Sequence, residues 1–194
     1  MPDLIGAEFD RYLRGREPET FDEATAAFSG SNPAMARAIA GVEGGTRPRE
    51  MTAEQRRAYN NALRQVARWR NTTGERRRPG ATARSREAVT RLRAAAQRQS
   101  SRRRADEVRR HGLSMRLRAA IRVSRVWKVH TMPADVGGRP RFVHMDELGA
   151  AVDAWQRGDL DEAGGIVLAA FFDSYWGAPD PAEMGEIEFV EFAR

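Results

Sequence analysis

Residues 112–131 read GLSMRLRAAIRVSRVWKVHT, and their period settles the class of fold. Met115, Leu117, Ala119, Ile121 and Val123 take alternate positions against Arg116, Arg118, Ala120, Arg122 and Ser124. Side chains alternate across a strand, so this spacing predicts a β-strand with one apolar and one basic face. The alternation continues less cleanly through Arg125, Trp127 and Val129 to Thr131, and the whole run is read as one strand. Gly112 marks an abrupt change, because the stretch directly before it, Ala83 to His111, is helical in composition.

Downstream, Pro133 to Pro140 is too long for a two-residue hairpin, and Arg141 to Met145 is a second strand. Asp146 then caps a helix through Leu148, Ala151, Val152 and Trp155 that ends at Gly158, and Asp159 opens another running to Tyr175 and Trp176. Gly177 to Pro181 is a turn, and Glu186 to Phe192 alternates again as a last, acidic strand. The order ββααβ describes a small α+β unit with helices over the apolar sheet face. Pairing of the last strand with the first would set Glu186, Glu188 or Glu191 across from arginines. The aromatic stripe Trp155, Phe171, Phe172, Tyr175 and Trp176 is read as core.

Upstream, Leu4 to Leu13 has helical spacing up to Gly15. Thr20 with Glu23 forms a capping box, and Ser31 or Asn32 with Pro33 starts a helix through Ala40. Residues 41–50 are a loop. Thr52 with Gln55 caps a strongly amphipathic helix through Asn71, whose apolar side carries Ala58, Ala62, Leu63, Val66 and Trp69. Ala83 to His111 is helical but arginine-rich, with few core contacts beyond Val89, Leu92, Ala95, Ala96 and Val108, which suits a helix lying on something charged or ordered on binding. The expected architecture is therefore α+β: a helical, helix-turn-helix-like region at 1–81, an Arg-rich helical arm at 82–112 and a small α+β domain at 113–194.

The chain has 194 residues, 41% of them hydrophobic, with 33 basic and 27 acidic side chains and no Cys, which excludes a disulfide scaffold and a cysteine zinc site. No run is apolar and long enough for a bilayer span and no leader is evident, so a cytoplasmic, nucleoid-associated protein without a membrane partner is expected. The charge is segregated: residues 1–46 carry −4, 47–128 carry +19 and 129–194 carry −9. A basic middle between acidic flanks points to a polyanionic partner, since Arg forks match phosphate geometry.

The helix from Thr52 carries Asn60, Asn61, Arg64, Gln65, Arg68 and Arg70, residue types that reach base edges or phosphates in double-stranded DNA. The loop before it is longer than the tight turn of a helix-turn-helix, so any such motif is degenerate. Arg76, Arg77 and Arg78, then Arg102, Arg103 and Arg104 with Arg109 and Arg110, read as phosphate contacts. Arg116, Arg118 and Arg122 form a regular row on the strand, unless acidic residues of the fold consume it. The competing reading of each is a solvated surface in an arginine-rich chain.

Enzyme chemistry is not expected. His111, His130 and His144 sit in different elements with no localised carboxylate for a metal, and no Ser-His-Asp arrangement is apparent. The acidic run 159–162 is explained by helix capping, and Gly137-Gly138 and Gly164-Gly165 lack the spacing of a phosphate loop, so no catalytic residue, metal or cofactor is assigned.

The order of a helical segment, a helix ending RQVARW at 64–69, an Arg-rich stretch, and a strand opening into DAWQRGDLDEA (153–163), AFFDSYWG (170–177) and EIEFVEF (186–192) resembles the terminal, telomere-binding proteins of linear actinobacterial chromosomes and plasmids. The resemblance spans roughly residues 58–192. It implies a protein that binds telomeric DNA, works with a DNA polymerase and becomes joined through a hydroxyl to the 5′ end, priming DNA replication there. The family's attachment residue is a Thr beyond the Arg-rich stretch, and Thr131 is the closest positional match, with Ser124 and Ser114 as alternatives. Two other functions fit the same charges. One is a non-covalent transcriptional or plasmid-maintenance regulator, for which palindromic sites would call for a homodimer; the other is a nucleic-acid-packaging assembly protein.

Overall fold

The computed structural model describes residues 2–71, 79, 80, 82–175 and 184–193; Arg76 to Arg78, Trp176 and the turn expected at 177–181 lie outside these residues. Among them are seven α-helices and a four-stranded antiparallel sheet, an α+β protein. The helices are α1 (Pro2–Arg14), α2 (Phe21–Ala26), α3 (Asn32–Ala40), α4 (Ala53–Arg70), α5 (Ala83–His111), α6 (Gly149–Arg157) and α7 (Leu160–Ser174). The strands are β1 (Leu113–Val123), β2 (Val126–Met132), β3 (Val143–Met145) and β4 (Met184–Ala193). No helix among the described residues is long and apolar enough to cross a membrane.

The long strand expected from the alternation is a hairpin. Ser124 and Arg125 take φ of +51° and +68°, and the chain folds back so that Val123 pairs with Val126 and Leu117 with Met132. Positive φ at both central residues is the type I′ geometry whose twist suits a two-residue loop. Neither residue is Asn, Asp or Gly, so the turn carried no sequence signal. The expected ββααβ order is accordingly corrected to βββααβ.

β1 is the organising strand. One edge pairs along β4, from Ser114 opposite Ala193 to Ile121 opposite Met184, with register shifts around Ala119. The other edge is shared end to end: β2 takes 117–123 and β3 takes 113–115. Leu113, Met115, Leu117, Ala119 and Ile121 are buried, as the alternation requires. They pack with Ile5, Phe9 and Leu13 of α1, Ala105 and Val108 of α5, and Ala151, Val152, Val167 and Phe171 of α6 and α7. The compact unit around this core is Met1–Leu13 with Arg102–Arg194. Phe192 of β4 sets its ring 6.0 Å from Phe9 and 5.7 Å from Tyr12. The Trp155 indole N–H donates to Asp10 at 2.7 Å, which satisfies its polar end.

Two glycines allow close approaches within this unit. A Cβ on Gly6 would lie 2.1 Å from the Leu160 carbonyl oxygen, so α1 and α7 meet through backbone. Gly112 combines φ of +68° with a Cβ position 2.1 Å from the Met145 carbonyl oxygen. It ends α5, accepts the left-handed conformation and lets β3 close on β1, which is why the period changes there. Asp146 does not cap α6; Leu148 holds the N-cap position with no side-chain bond, whereas Asp159 does cap α7, accepting from the Glu162 N–H at 3.0 Å.

The second unit, Arg14–Ser101, is helical. Its core holds Met35, Ala36 and Ile39 of α3, Tyr59, Ala62 and Val66 of α4, and Ala88, Leu92 and Ala96 of α5. Both predicted capping boxes are present, Thr20 with Glu23 and Thr52 with Gln55. The Glu19 backbone N–H at 2.7 Å on Glu23 is the largest of the influences holding that carboxyl below its usual range. Arg37 at the end of α3 lies over the Tyr59 ring near the start of α4, and Arg70 at the end of α4 reaches Gly30 and Asn32 at the start of α3. The two helices are thus antiparallel and joined by the long loop 41–52, a helical hairpin rather than a helix-turn-helix.

Boundaries drawn from composition at 81 and 112 do not coincide with these units. α1 belongs with the sheet, and α5 is no separate arm: its earlier residues sit in one core and Ala105 and Val108 in the other.

Candidate nucleic-acid interface

On α4 the burial of Tyr59, Ala62 and Val66 fixes which face is free. Asn60, Asn61, Arg64 and Arg68, with Arg57, are exposed, and Arg57, Arg64 and Arg68 make no ion pair among the described residues. Spacings of three and four residues put Arg57, Asn61, Arg64 and Arg68 on one stripe. The remaining two candidates on this helix are differently placed. Gln65 is half-buried and lines a cleft with Ile39, Asn61, Arg84, Glu87 and Arg91. Arg70 is committed to the fold, donating to the Gly30 carbonyl at 2.6 Å and to Asn32 Oδ1 at 2.8 Å.

The Arg-rich part of α5 divides in the same way. Arg102 and Arg103 are exposed and make no ion pair among the described residues. Arg104 is half-buried and donates to the Leu13 carbonyl at 3.3 Å, Arg109 pairs with Asp153 at 2.6 Å, and Arg110 donates to the Asp106 carbonyl of its own helix. Arg76, Arg77 and Arg78 fall outside the described residues.

Most of the basic row on β1 is consumed within the sheet. Arg116, its side chain 19% exposed, pairs with Glu191 at 2.6 Å and Asp135 at 3.3 Å. Its guanidinium also lies over the rings of Phe142 and Phe189. Arg118 pairs with Glu188 at 2.9 Å. These partners lie on or next to strands that pair with β1, so the acidic strand answers the basic one as the sequence suggested. Arg122 is exposed with no such partner among the described residues.

The structure also brings together a constellation that the sequence did not reveal. Ser114 lies directly opposite His144, and its Oγ is 3.1 Å from His144 Nδ1, while His144 Nε2 is 3.2 Å from Asp146 Oδ1. The spacing of His144 and Asp146 was visible; the register that sets Ser114 beside them was not. A carboxylate at Nε2 favours the tautomer with its proton there, which leaves Nδ1 free to accept from the Ser114 hydroxyl. Thr131, half-buried opposite Arg118, and Ser124, in the hairpin turn, have no such neighbour among the described residues. His130 pairs with Ala119 on the other sheet face, so it does not meet His144. Among the described residues no group of His, Cys, Asp and Glu is assembled to hold a metal ion.

No family model matches the chain, and no similar curated protein or solved structure was found.

Proposed function

We propose that the protein binds double-stranded DNA through the exposed stripe of α4, in the manner of the terminal proteins it resembles. The observation that carries this reading is the division among the arginines. Arg116 and Arg118 of β1 and Arg70 at the end of α4 are spent on internal partners, whereas Arg57, Arg64 and Arg68 stand in line at the surface with no ion pair among the described residues. An unpaired row of forks gains most from phosphate, because each neutralised phosphate releases counterions. Fluorescence polarisation against duplex DNA tests it. With three neutralised phosphates, affinity falls roughly forty-fold between about 50 and 200 mM salt, and Arg64→Ala with Arg68→Ala lowers the salt slope by about 2. Binding that ignores salt, or that survives the double substitution unchanged, overturns the reading.

In the same proposal the priming hydroxyl is Ser114 rather than Thr131, because Ser114 has a base. Its Oγ attacks the α-phosphorus of a deoxynucleoside triphosphate, pyrophosphate leaves, and the hydroxyl proton passes to His144 Nδ1. Neutralising the triphosphate falls to a polymerase partner. Incubation with polymerase, telomeric template and labelled nucleotide is expected to label the protein and its Thr131→Ala variant but not Ser114→Ala. Labelling of Ser114→Ala at the normal level removes Ser114 from the role; an unlabelled wild-type protein removes priming altogether and leaves duplex binding standing.

A further inference from the structure

The β1–β2 hairpin outruns the core it grows from. Val126, Trp127 and Val129 are 56%, 52% and 44% exposed and, with Val136, are the exposed large hydrophobic residues among the described ones. Arg122, Arg125 and Lys128 stand among them, exposed and without an ion pair among the described residues. No carboxylate occurs from Leu113 to Ala134. At the outer end of the ribbon, beyond the paired Arg116 and Arg118, cations and apolar groups therefore alternate with no ion pair among the described residues.

Trp127 is not a loose side chain. Paired with Arg122, it lies on the sheet face away from the core, with ring carbons 2.9 and 3.3 Å from where a Cβ on Gly185 would stand. That same position is 3.4 Å from Ala120 Cβ. Absence of a side chain at 185 lets the indole rest against β4, and more than half of the residue remains in solvent. Arg122 is its cross-strand partner on that face and Arg125 stands in the adjoining turn, whereas Lys128 pairs with Ile121 on the opposite face. An aromatic ring held against the sheet beside exposed cations suits an unpaired base with its backbone phosphates. Stacking is worth about 1–3 kcal/mol per base, and every base offers a π-face.

We infer that the β1–β2 hairpin binds single-stranded DNA, a base stacking on Trp127 while Arg122 and Arg125 take the flanking phosphates. The inference rests on the DNA-binding reading for the class of partner but uses a different surface and a different form of DNA. Its test measures anisotropy of a labelled oligothymidylate of about 15 nucleotides at low salt. The full-length protein binds, Trp127→Ala weakens binding roughly tenfold, and Trp127→Phe keeps most of it. Replacing Arg122 and Arg125 together by Gln reduces the salt slope by about 1.4. Photo-crosslinking of the unmodified protein to an iododeoxyuridine oligonucleotide gives the second readout, with the adduct on the peptide Val126–Lys128. An adduct elsewhere, or Trp127→Ala binding as tightly as wild type, overturns the inference. So does a Trp127→Ala variant that loses self-association while oligonucleotide binding is unchanged, which would make the hairpin a contact between copies. Duplex binding of the same variants separates the two readings: its absence with oligothymidylate binding intact defeats only the α4 interface, and the reverse result defeats only the hairpin.

Discussion

Ser124 and Arg125 hold a conformation that L-residues reach only at some cost, φ of +51° and +68° in succession. The left-handed region penalises a residue with a Cβ by about 1–2 kcal/mol, and Asn-Gly is the pair that the type I′ loop favours. Changing Ser124→Asn together with Arg125→Gly is therefore expected to stabilise the protein by about 1 kcal/mol, read as a higher midpoint in urea. The same change removes one hairpin cation, so it is expected to weaken oligothymidylate binding while strengthening the fold. Opposite signs in the two measurements would distinguish Arg125 as a surface contact from Arg125 as a structural residue. A midpoint that falls instead would show that the two side chains stabilise the turn in a way the backbone does not require.

At the level of the helix, two arginines on α4 separated by a few positions do unlike work. Arg70 ties the end of α4 to the α2–α3 turn through two hydrogen bonds, while Arg64 points outward. Arg70→Ala is expected to cost about 1 kcal/mol of stability in chemical denaturation and to leave the salt slope of duplex binding alone. A lower slope with unchanged stability would return Arg70 to the DNA surface. Composition could not separate these roles, because the sequence shows residue type and spacing but not which carbonyl a guanidinium meets forty residues away. Spacing did show the helix itself, its capping box and its buried side, since these depend on near neighbours. It also showed the alternation of β1 and the acidic strand that answers it. The hairpin was hidden because Ser-Arg is no turn signature, and the Ser114–His144–Asp146 relay because it depends on strand register.

Within the unit built on the sheet, charge is not everywhere at rest. Asp161, in the first turn of α7, shares a hydrogen bond with Asp3 of α1, and the neighbouring carboxyl raises its pKa above the usual carboxylate value. A folded-state pKa raised in this way contributes stability at pH below the unfolded value, and that contribution is lost as pH rises through the folded one. Asp161→Asn keeps a hydrogen-bond donor without the charge. It is expected to raise the melting temperature near neutral pH and to bring no gain at about pH 3, where the wild-type carboxyl already holds its proton. Equal effects at both pH values would rule out the shared proton as the cause.

Over the whole molecule the least legible fact is that the first helix completes the last domain. Ile5, Phe9 and Leu13 are fully buried in the core formed by β1, α6 and α7, although a hundred residues of sequence separate them from it. Nothing in the amphipathic pattern of Leu4 to Leu13 names its partner, since an apolar stripe fits any apolar face. The consequence is unequal dependence of the two units on the N-terminus. Phe9→Ala alone is expected to cost about 3–5 kcal/mol, a large part of the 5–15 kcal/mol that holds a typical domain. Removing residues 1–13 takes away three such anchors together with the Trp155–Asp10 hydrogen bond. The sheet unit of that truncated chain is expected to lose amide-exchange protection across β1 and β4, with Trp155 becoming exposed to quenchers. The core of Arg14–Ser101 contains no residue from the deleted segment, so protection in α3 and α4 should persist. Duplex binding through the α4 stripe is then retained, while labelling at Ser114 and binding of single strands at the hairpin fall with the sheet. A truncated chain that keeps exchange protection in β1 would show that α1 is an accessory to that core and not part of it.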